Sequence, residues 1–415
     1  MQSHPLQTQL ANEVHARPFL KLNPPLSITH MAVMLDGERM QEMVGLMLCM
    51  AEEMGMKIEK QIGGFFYAAS KEGALRFEPH NEFYSLTLYS FGHADPPEIP
   101  DAWQEQLPGA VLCSVEIVFR KKRSDLKGWY VESFGDNQVS GSEVMSGAAS
   151  IWTDFVLRPD TGRVRVLVED RALLPFQAGR LLQRICEVET YRHMALLALP
   201  SATDAMPQVT QLDRQLADIT HRMSGEDSAP AQKLLAELTL LAANVEELAA
   251  DTANRFGASE AYFAMLDKRI TELREVRVEG YQTVAQFMER RLEPARRTCL
   301  AAGARIERLS KRIARVTELI RSQVDLSVEQ QNRDLLEALN GRARRQLRMQ
   351  AKLESFTIIV VTYYAFDLIE RTLRNTVQAD DMRDTALMVL SFSVPLIAGV
   401  LWWYVRNLLK HYGED

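Results

Sequence analysis

The stretch Phe176–Leu199, FQAGRLLQRICEVETYRHMALLAL, separates two regions that differ in turn-residue content and in apolar spacing. Its apolar residues recur every three or four positions, which predicts a helix. Before it, short apolar and β-branched runs alternate with turn residues. After it, glycine is sparse and helical spacing dominates. The helix is therefore predicted to close an N-terminal domain.

The N-terminal region, 1–203, is predicted to be an α+β domain. Aspartate, glycine and proline punctuate its apolar runs, as expected of turns. One segment, Gly37–Gly55, has helical spacing, and we expect its row of methionines in the core rather than at a ligand surface. The small residues of Ser140–Ser150 predict a flexible stretch, and they lack the lysine of a phosphate loop. The runs that predict strands are Leu26–Leu35, Phe65–Ala69, Phe83–Ser90, Ala110–Arg120 and Arg163–Val168.

The middle region, 204–352, is predicted to be a helical stalk with coiled-coil character. Its main breaks are Ser224–Pro230 and Gly280. A helix over Gly303–Lys352 would reach about 75 Å at 1.5 Å per residue. Apolar residues in this region are separated alternately by three and four positions, which predicts either a helix-pair seam within one subunit or a seam between subunits of an oligomer. The residues of this seam are Ile306, Leu309, Ile313, Val316 and Ile320.

The C-terminal region, 353–409, is predicted to be a hairpin of two transmembrane helices, at about 353–372 and 386–405. Ala386–Val405 is twenty residues without a charge, enough for one bilayer crossing of about 30 Å. Ser355–Phe366 spans only about 18 Å, so the first crossing is short. A basic tail, 410–415, follows the hairpin.

The charges that flank the hairpin predict its orientation. Arg344, Arg345 and Arg348 precede the first span, and a basic tail follows the second. Because cytoplasmic flanks are rich in Lys and Arg, both termini and the large domain are predicted to lie in the cytoplasm. The same arginines would also attract anionic lipid. Asp367 then lies at the outer end of the first helix; the alternative places it in a polar pathway inside the membrane.

Bulk properties narrow the function. A net charge of -7 argues against a general nucleic-acid binder, which carries a basic surface. The first residues contain no apolar run of a secretory signal. The four cysteines are scattered without a CxxC pair, so we expect reduced thiols rather than a disulfide framework or a zinc knuckle.

One polar cluster, Arg76–Phe83 or RFEPHNEF, could carry chemistry. If this stretch is extended, Glu78, His80 and Glu82 point to one face. Carboxylate and imidazole groups suit a divalent cation or acid–base work, although one strand rarely wraps an ion. The plainer interpretation is a solvated polar face. We hypothesise that His15 and Arg17 dock onto Glu78 or Glu82.

A second cluster lies on the Phe176–Leu199 helix. Arg180, Arg184 and Glu187 share one helix face, which predicts either an anion site or an intrahelical ion-pair ladder. The sequence shows no GxSxG, HExxH or GxGxxG in a strand–helix setting. We therefore expect no enzyme, and no cofactor is implied.

Motifs spread over nearly the whole chain are similar to those of the bacterial membrane-anchored proteins grouped as domain of unknown function 3422. The segment after Tyr364 departs from that family, because Asp367 and Glu370 stand where an apolar, glycine-containing continuation is usual. The resemblance implies a bacterial inner-membrane protein and supplies no mechanism. The motifs are Glu13–Phe19, Arg76–Phe83, Gly135–Ser142, Gln177–Pro200, Glu289–Cys299 and Gln331–Tyr364.

The layout also resembles that of CorA-type magnesium channels. Their Gly-Met-Asn signature is missing, and Tyr363-Tyr364-Ala365 stands near its place. We expect a non-enzymatic scaffold or sensor, with the lipid bilayer, a second copy of the chain and a cytosolic protein as partners. One alternative is an oligomeric ion channel with Thr357, Thr362 and Asp367 along its pore or outer mouth. The other is a membrane-tethered enzyme that uses Glu78, His80 and Glu82.

Overall fold

The structure is a computed structural model. It describes residues 4, 6–7, 19–35, 39–62, 64–93, 95–122, 129, 132–224, 230–376 and 380–411. The chain forms two compact units, unit 1 over Met1–Glu318 and unit 2 over Leu319–Asp415.

Unit 1 is built on a mixed sheet of ten strands, in the order β10-β7-β8-β9-β6-β1-β5-β4-β3-β2. β6 and β9 pair in parallel, and the other neighbours pair antiparallel. The strands are β1 Leu26–Met34, β2 Lys57–Ile62, β3 Phe65–Ala69, β4 Gly73–Pro79, β5 Phe83–Phe91, β6 Ala110–Lys121, β7 Ser140–Val144, β8 Ala149–Leu157, β9 Val164–Asp170 and β10 Val276–Arg277.

Long helices follow the sheet, and two shorter ones lie among its strands. These two are α1 Met40–Glu53 and α2 Asp101–Gln104. The later helices are α3 Pro175–Leu196, α4 Ala198–Ser224, α5 Ala231–Glu272, α6 Val284–Thr376 and α7 Asp380–His411.

Strand residues alternate between the two faces of a sheet. Both faces of this sheet carry apolar side chains, and a helix packs on each of them. On one face, Ile28 of β1 and Val166 of β9 join Leu181 and Ile185 of α3 in one apolar core. On the other face, Met31 and Val33 of β1 pack with α1. Met43 and Met47 of α1 are almost fully buried, which confirms the core role predicted for the methionines. Each such side chain contributes about 1.5–3 kcal/mol through burial.

The predicted strands are confirmed, and five strands were missed: β2, β4, β7, β8 and β10. The expectation of a flexible Ser140–Ser150 was wrong, because Ser140–Val144 is a strand whose Ser140 and Ser142 are buried. Its small residues have a packing reason. A Cβ atom at Gly141 would lie 2.2 Å from ring atoms of Trp152, so the tryptophan ring needs that space.

The unit boundary falls after Glu318, whereas the sequence predicted boundaries after residues 203 and 352. The early helices share the core of the sheet: Phe263 and Leu266 of α5 belong to the same apolar cluster as α3. Helix α6 is tied to its neighbours by ion pairs from Arg296 to Asp267 and from Arg312 to Asp213. Ile306, Leu309 and Ile313 of the predicted seam are buried within the single chain, which favours a helix-pair seam over an oligomer seam.

Helix α6 continues through Asp367 and Glu370 to Thr376, and α7 begins at Asp380. None of the helices that the described residues form combines the length and apolar character that a bilayer crossing requires.

The segment before β1 is seated on the start of α3. Leu22 N–H donates to the Pro175 carbonyl at 3.1 Å, and a Cβ atom at Gly179 would lie 1.9 Å from the carbonyl oxygen of Leu20.

Gly179→Ala should therefore push this segment away and destabilise the protein by about 1–3 kcal/mol. Urea unfolding of the purified chain in a non-ionic detergent measures this change.

The matched control is Gly257→Ala in α5, where an added Cβ meets nothing within 4 Å. It should stabilise by up to about 1 kcal/mol, because alanine is the better helix former. Equal effects of the two substitutions would contradict the seating of Leu20 on Gly179.

Candidate functional site

A cavity of about 320 Å³ lies on the α3 face of the sheet in unit 1. Side chains of β1, β4, β5, α3 and α5 line it, together with Phe19. A larger cavity of about 550 Å³ lies against the opposite face, next to Met31 and Val33. The smaller cavity is the candidate site because buried titratable side chains converge on it, which is the usual signature of a binding or catalytic site.

His30 forms part of the floor of this cavity and is 5% exposed. Its Nδ1 lies 2.7 Å from the hydroxyl of Thr87, and its Nε2 lies 3.0 Å from the hydroxyl of Thr190. Burial, together with the charges of Arg76 and His80, lowers the pKa of His30 to about 3. The ring is therefore neutral at physiological pH, with one nitrogen donating and the other accepting.

A continuous chain of polar contacts runs along the cavity wall and joins β4, α3 and α5. The Arg76 guanidinium donates to Glu78, and also to the Gln183 side-chain oxygen at 2.9 Å. Gln183 donates to Glu187 at 2.8 Å. Glu187 and Glu272 both accept from Arg269, and Glu272 also accepts from Arg184 at 3.0 Å. We call this set the charge chain; in order, it is Glu78, Arg76, Gln183, Glu187, Arg269, Glu272 and Arg184.

The two interior arginines of the charge chain keep their charge despite burial. Arg76 is 2% exposed, and its guanidinium also lies over the ring of Phe65 at 5.3 Å. Burial disfavours the charged form of Arg76, but the Glu78 carboxylate outweighs it and raises the pKa. The same balance, with Glu187 as the carboxylate, raises the pKa of Arg269. A charge held in this way is ready to orient a ligand.

Two further groups in the cavity wall are neutral. Burial raises the pKa of the Tyr89 hydroxyl above its usual value. Burial, with the charge of Glu187, raises the pKa of the Cys186 thiol well above its usual value. Since a thiolate rather than a thiol is the nucleophile, Cys186 is not activated for covalent chemistry.

The predicted set of Glu78, His80 and Glu82 does not share one strand face. Glu78 belongs to β4, which ends at Pro79, and the turn to β5 holds the other two. Glu78 is paired with Arg76, while Glu82 accepts from Arg255 and from the Tyr262 hydroxyl. No three His, Cys, Asp or Glu side chains in the described part of the chain are placed to hold a metal ion.

The remaining predicted residues of unit 1 divide into two groups. His15 and Arg17 lie outside the described residues, and their docking onto Glu78 or Glu82 stays a prediction. Arg180 and Arg184 lie on consecutive turns of α3, and Glu187 pairs with Arg269 of α5. Contacts between α3 and α5 thus take the place of the ladder along one helix.

Arg180 differs from the other arginines around the cavity. Its guanidinium carbon lies 6.0 Å from the centre of the Phe19 ring, which lines the cavity. Its Nε is buried without a hydrogen-bond partner in the structure, and no salt bridge to Arg180 is found among the described residues.

The predicted residues of unit 2 lie on helix α6. The hydroxyls of Thr357 and Thr362 donate to the carbonyls of Leu353 and Ile358, at 2.9 and 2.7 Å. Asp367 pairs with Arg371 at 3.1 Å, one turn further along. The predicted lipid-facing residues, Arg344, Arg345 and Arg348, are exposed.

Sequence reasoning missed His30, Arg269 and Glu272. A signal existed for His30, because a histidine inside the apolar run LSITHMAVML must find polar partners when buried. No comparable signal existed for Arg269 and Glu272. Charges three residues apart on a helix are the usual pattern of a solvated face.

The chain thus consists of a domain built on a mixed ten-stranded sheet, with a cavity lined by charged side chains, followed by long helices. The family model described as "Protein of unknown function (DUF3422)" matches residues 2–412, and the chain belongs to this family. No curated protein matches the chain. No solved structure matches it either.

The neutral state of His30 makes the stability of the protein depend on pH. The unfolded state takes up a proton near pH 6.5, whereas folded His30 does so only near its pKa of about 3. Stability from this group is therefore complete above pH 6.5 and falls as the pH drops from 6.5 towards 3. Between pH 8 and pH 5, the free energy of unfolding should fall by about 2 kcal/mol less in His30→Gln than in the natural protein.

Urea unfolding at pH 8 and pH 5 gives both values. The control is His221→Gln, since His221 is exposed on α4. It should keep the natural pH dependence. If His30→Gln lost as much stability as the natural protein, His30 would be protonated in the fold.

Proposed function

We propose that this protein is a membrane-anchored, non-enzymatic sensor or scaffold of the bacterial inner membrane. Unit 1 would lie in the cytoplasm and bind a ligand in its cavity, and residues 353–409 would hold it at the bilayer. The observation that carries this proposal is the row of exposed apolar side chains on the C-terminal helices.

Exposed apolar side chains are concentrated on both helices of unit 2. On α6, Phe356 and Ile359 are 65% and 67% exposed; on α7, Phe392 and Leu396 are 74% and 71% exposed. Large exposed apolar surfaces mark contact with a membrane or a partner. Ala386–Val405 carries no charge, and several of its side chains lie outside the described residues. The exposed arginines before Phe356 would attract anionic lipid headgroups, which supports the proposal that this flank lies on the cytoplasmic side.

Binding fits the cavity better than catalysis does. Its carboxylates Glu78, Glu187 and Glu272 are each committed to arginines. Both nitrogens of His30 are engaged by hydroxyls, and the Cys186 thiol is protonated. A general base must be free to reach the proton that it abstracts. The enzyme alternative therefore gains no support from these groups.

The ion-channel alternative gains no specific support from unit 2. The Thr357 and Thr362 hydroxyls are used by the backbone of their own helix, and Asp367 is paired with Arg371. A ring of carboxylates favours cations only when the carboxylates face the pore.

A second copy of the chain is the partner that best fits the exposed part of α6 before residue 353. Val328, Leu335 and Leu339 are separated by seven and four residues, so they share one helix face. They are 44%, 58% and 48% exposed. A solvated helix with such an apolar stripe is stabilised when another helix covers it. We propose that this partner is the same stripe of a second copy.

Charges placed in α7 test the anchor. The double substitution Phe392→Arg and Leu396→Arg should move the chain out of the membrane fraction. Each arginine at the centre of a span costs about 2.5–3.5 kcal/mol of insertion free energy. Flotation with liposomes after cell-free synthesis measures the bound fraction.

The matched control carries the same two charges on an exposed part of α6, as Leu326→Arg and Leu336→Arg. It should float like the natural chain. Absence of the natural chain from the lipid layer would contradict the anchor.

The mass of the detergent-solubilised protein, from light scattering with the detergent subtracted, tests the stripe. We expect an oligomer for the natural chain and a shift to monomer for Leu335→Glu with Leu339→Glu, because like charges then face each other across the seam. Leu326→Glu with Leu336→Glu, off the stripe, should leave the mass unchanged. A monomeric natural chain would refute the second copy as partner.

A further inference from the structure

The cavity of unit 1 and the Arg180 guanidinium beside its lining residue Phe19 together indicate the charge of a ligand. The charge chain contributes three arginines, Arg76, Arg184 and Arg269, and three glutamates, and each arginine forms an ion pair with at least one of these glutamates. The wall is therefore balanced in charge. Arg180 adds one positive charge that no described carboxylate compensates.

Position places Arg180 at this cavity rather than elsewhere on α3. Arg184, Glu187 and Tyr191 all line the cavity, and Arg180 precedes Arg184 by one turn on the same helix face. Its guanidinium carbon lies 6.0 Å from the centre of the ring of Phe19, another lining residue, so the guanidinium lies next to the part of the wall that Phe19 forms.

The remaining lining residues indicate the chemical character of the uncharged part of the ligand. Phe19, Phe83, Tyr191 and Met265 contribute apolar and aromatic surface. The volume of about 320 Å³ lies at the lower end of small-molecule sites. An inorganic ion would leave this apolar wall unused, and a dianion would exceed the single uncompensated charge.

We propose that the cavity binds a small organic monoanion, whose carboxylate contacts Arg180 and whose apolar body occupies the space between β5, α3 and α5. Arg184 lines the same cavity and is already paired. It is held by the Glu272 carboxylate and by the Glu272 carbonyl at 3.0 and 3.1 Å, so it stays in place and leaves Arg180 to the ligand. This proposal rests on the ligand binding proposed above for unit 1, but not on the membrane anchor, because all residues of the site belong to unit 1.

Isothermal titration of the full chain in dodecyl maltoside, at pH 8 and low salt, tests the proposal with three named compounds. Benzoate carries both the carboxylate and the ring, benzyl alcohol carries the ring alone, and inorganic phosphate carries charge alone. We expect benzoate to bind at least tenfold more tightly than either of the others. Equal binding of benzoate and benzyl alcohol, no binding of benzoate, or tighter binding of phosphate would each overturn the proposal.

Three variants locate the bound benzoate. Arg180→Gln should weaken its binding at least tenfold, while Arg297→Gln, which removes an arginine 77% exposed on α6, should leave it unchanged. Met265→Trp should abolish binding by filling the cavity; Met265 is 40% exposed, so the larger ring has room to be accommodated. Full binding by either Arg180→Gln or Met265→Trp would overturn the assigned site. Unfolding temperatures without benzoate show that each variant is folded.

Discussion

The buried charges of the charge chain are stable only because each has an opposite charge within reach. An arginine 2% exposed, such as Arg76, would cost several kcal/mol without a partner. Glu78 supplies that partner from its own strand, and Gln183 links the pair to α3. This requirement fixes the height of α3 above the sheet. It also fixes the rotation of α5, because Arg269 must face Glu187.

Helix α3 therefore serves two neighbours at once. Its apolar residues, such as Leu181 and Ile185, pack on the sheet, where the hydrophobic effect supplies most of the stabilisation. Its polar residues, such as Gln183 and Glu187, face the cavity and α5. Apolar packing holds the helix on the sheet, and the charge chain sets how it lies there.

The sequence predicted those elements whose pattern is local. Leu26–Met34 was predicted as a strand from its apolar and β-branched residues, and in the structure all nine residues are buried or half-buried. Helix α3 was predicted from its apolar spacing. The strand β7 was missed because its reason lies in Trp152, eleven residues beyond Gly141. In the candidate site, Glu78, Arg184 and Glu187 were singled out from short-range patterns. Their partners Arg269 and Glu272 lie on a helix that folds back on α3, and no local pattern encodes that return.

The charge chain also has a consequence for how this family changes over time. Its seven members come from three distant parts of the sequence, at residues 76–78, 183–187 and 269–272. A substitution that removes one charge removes at least one ion pair from this set, so single changes should cost more than paired changes. Glu187 and Arg269 should therefore covary among relatives, and so should Glu272 and Arg184. Gln183 is the neutral link, and an acidic residue there would set two carboxylates side by side. Covariation within the family should therefore report the contact between α3 and α5, at positions more than eighty residues apart in the chain.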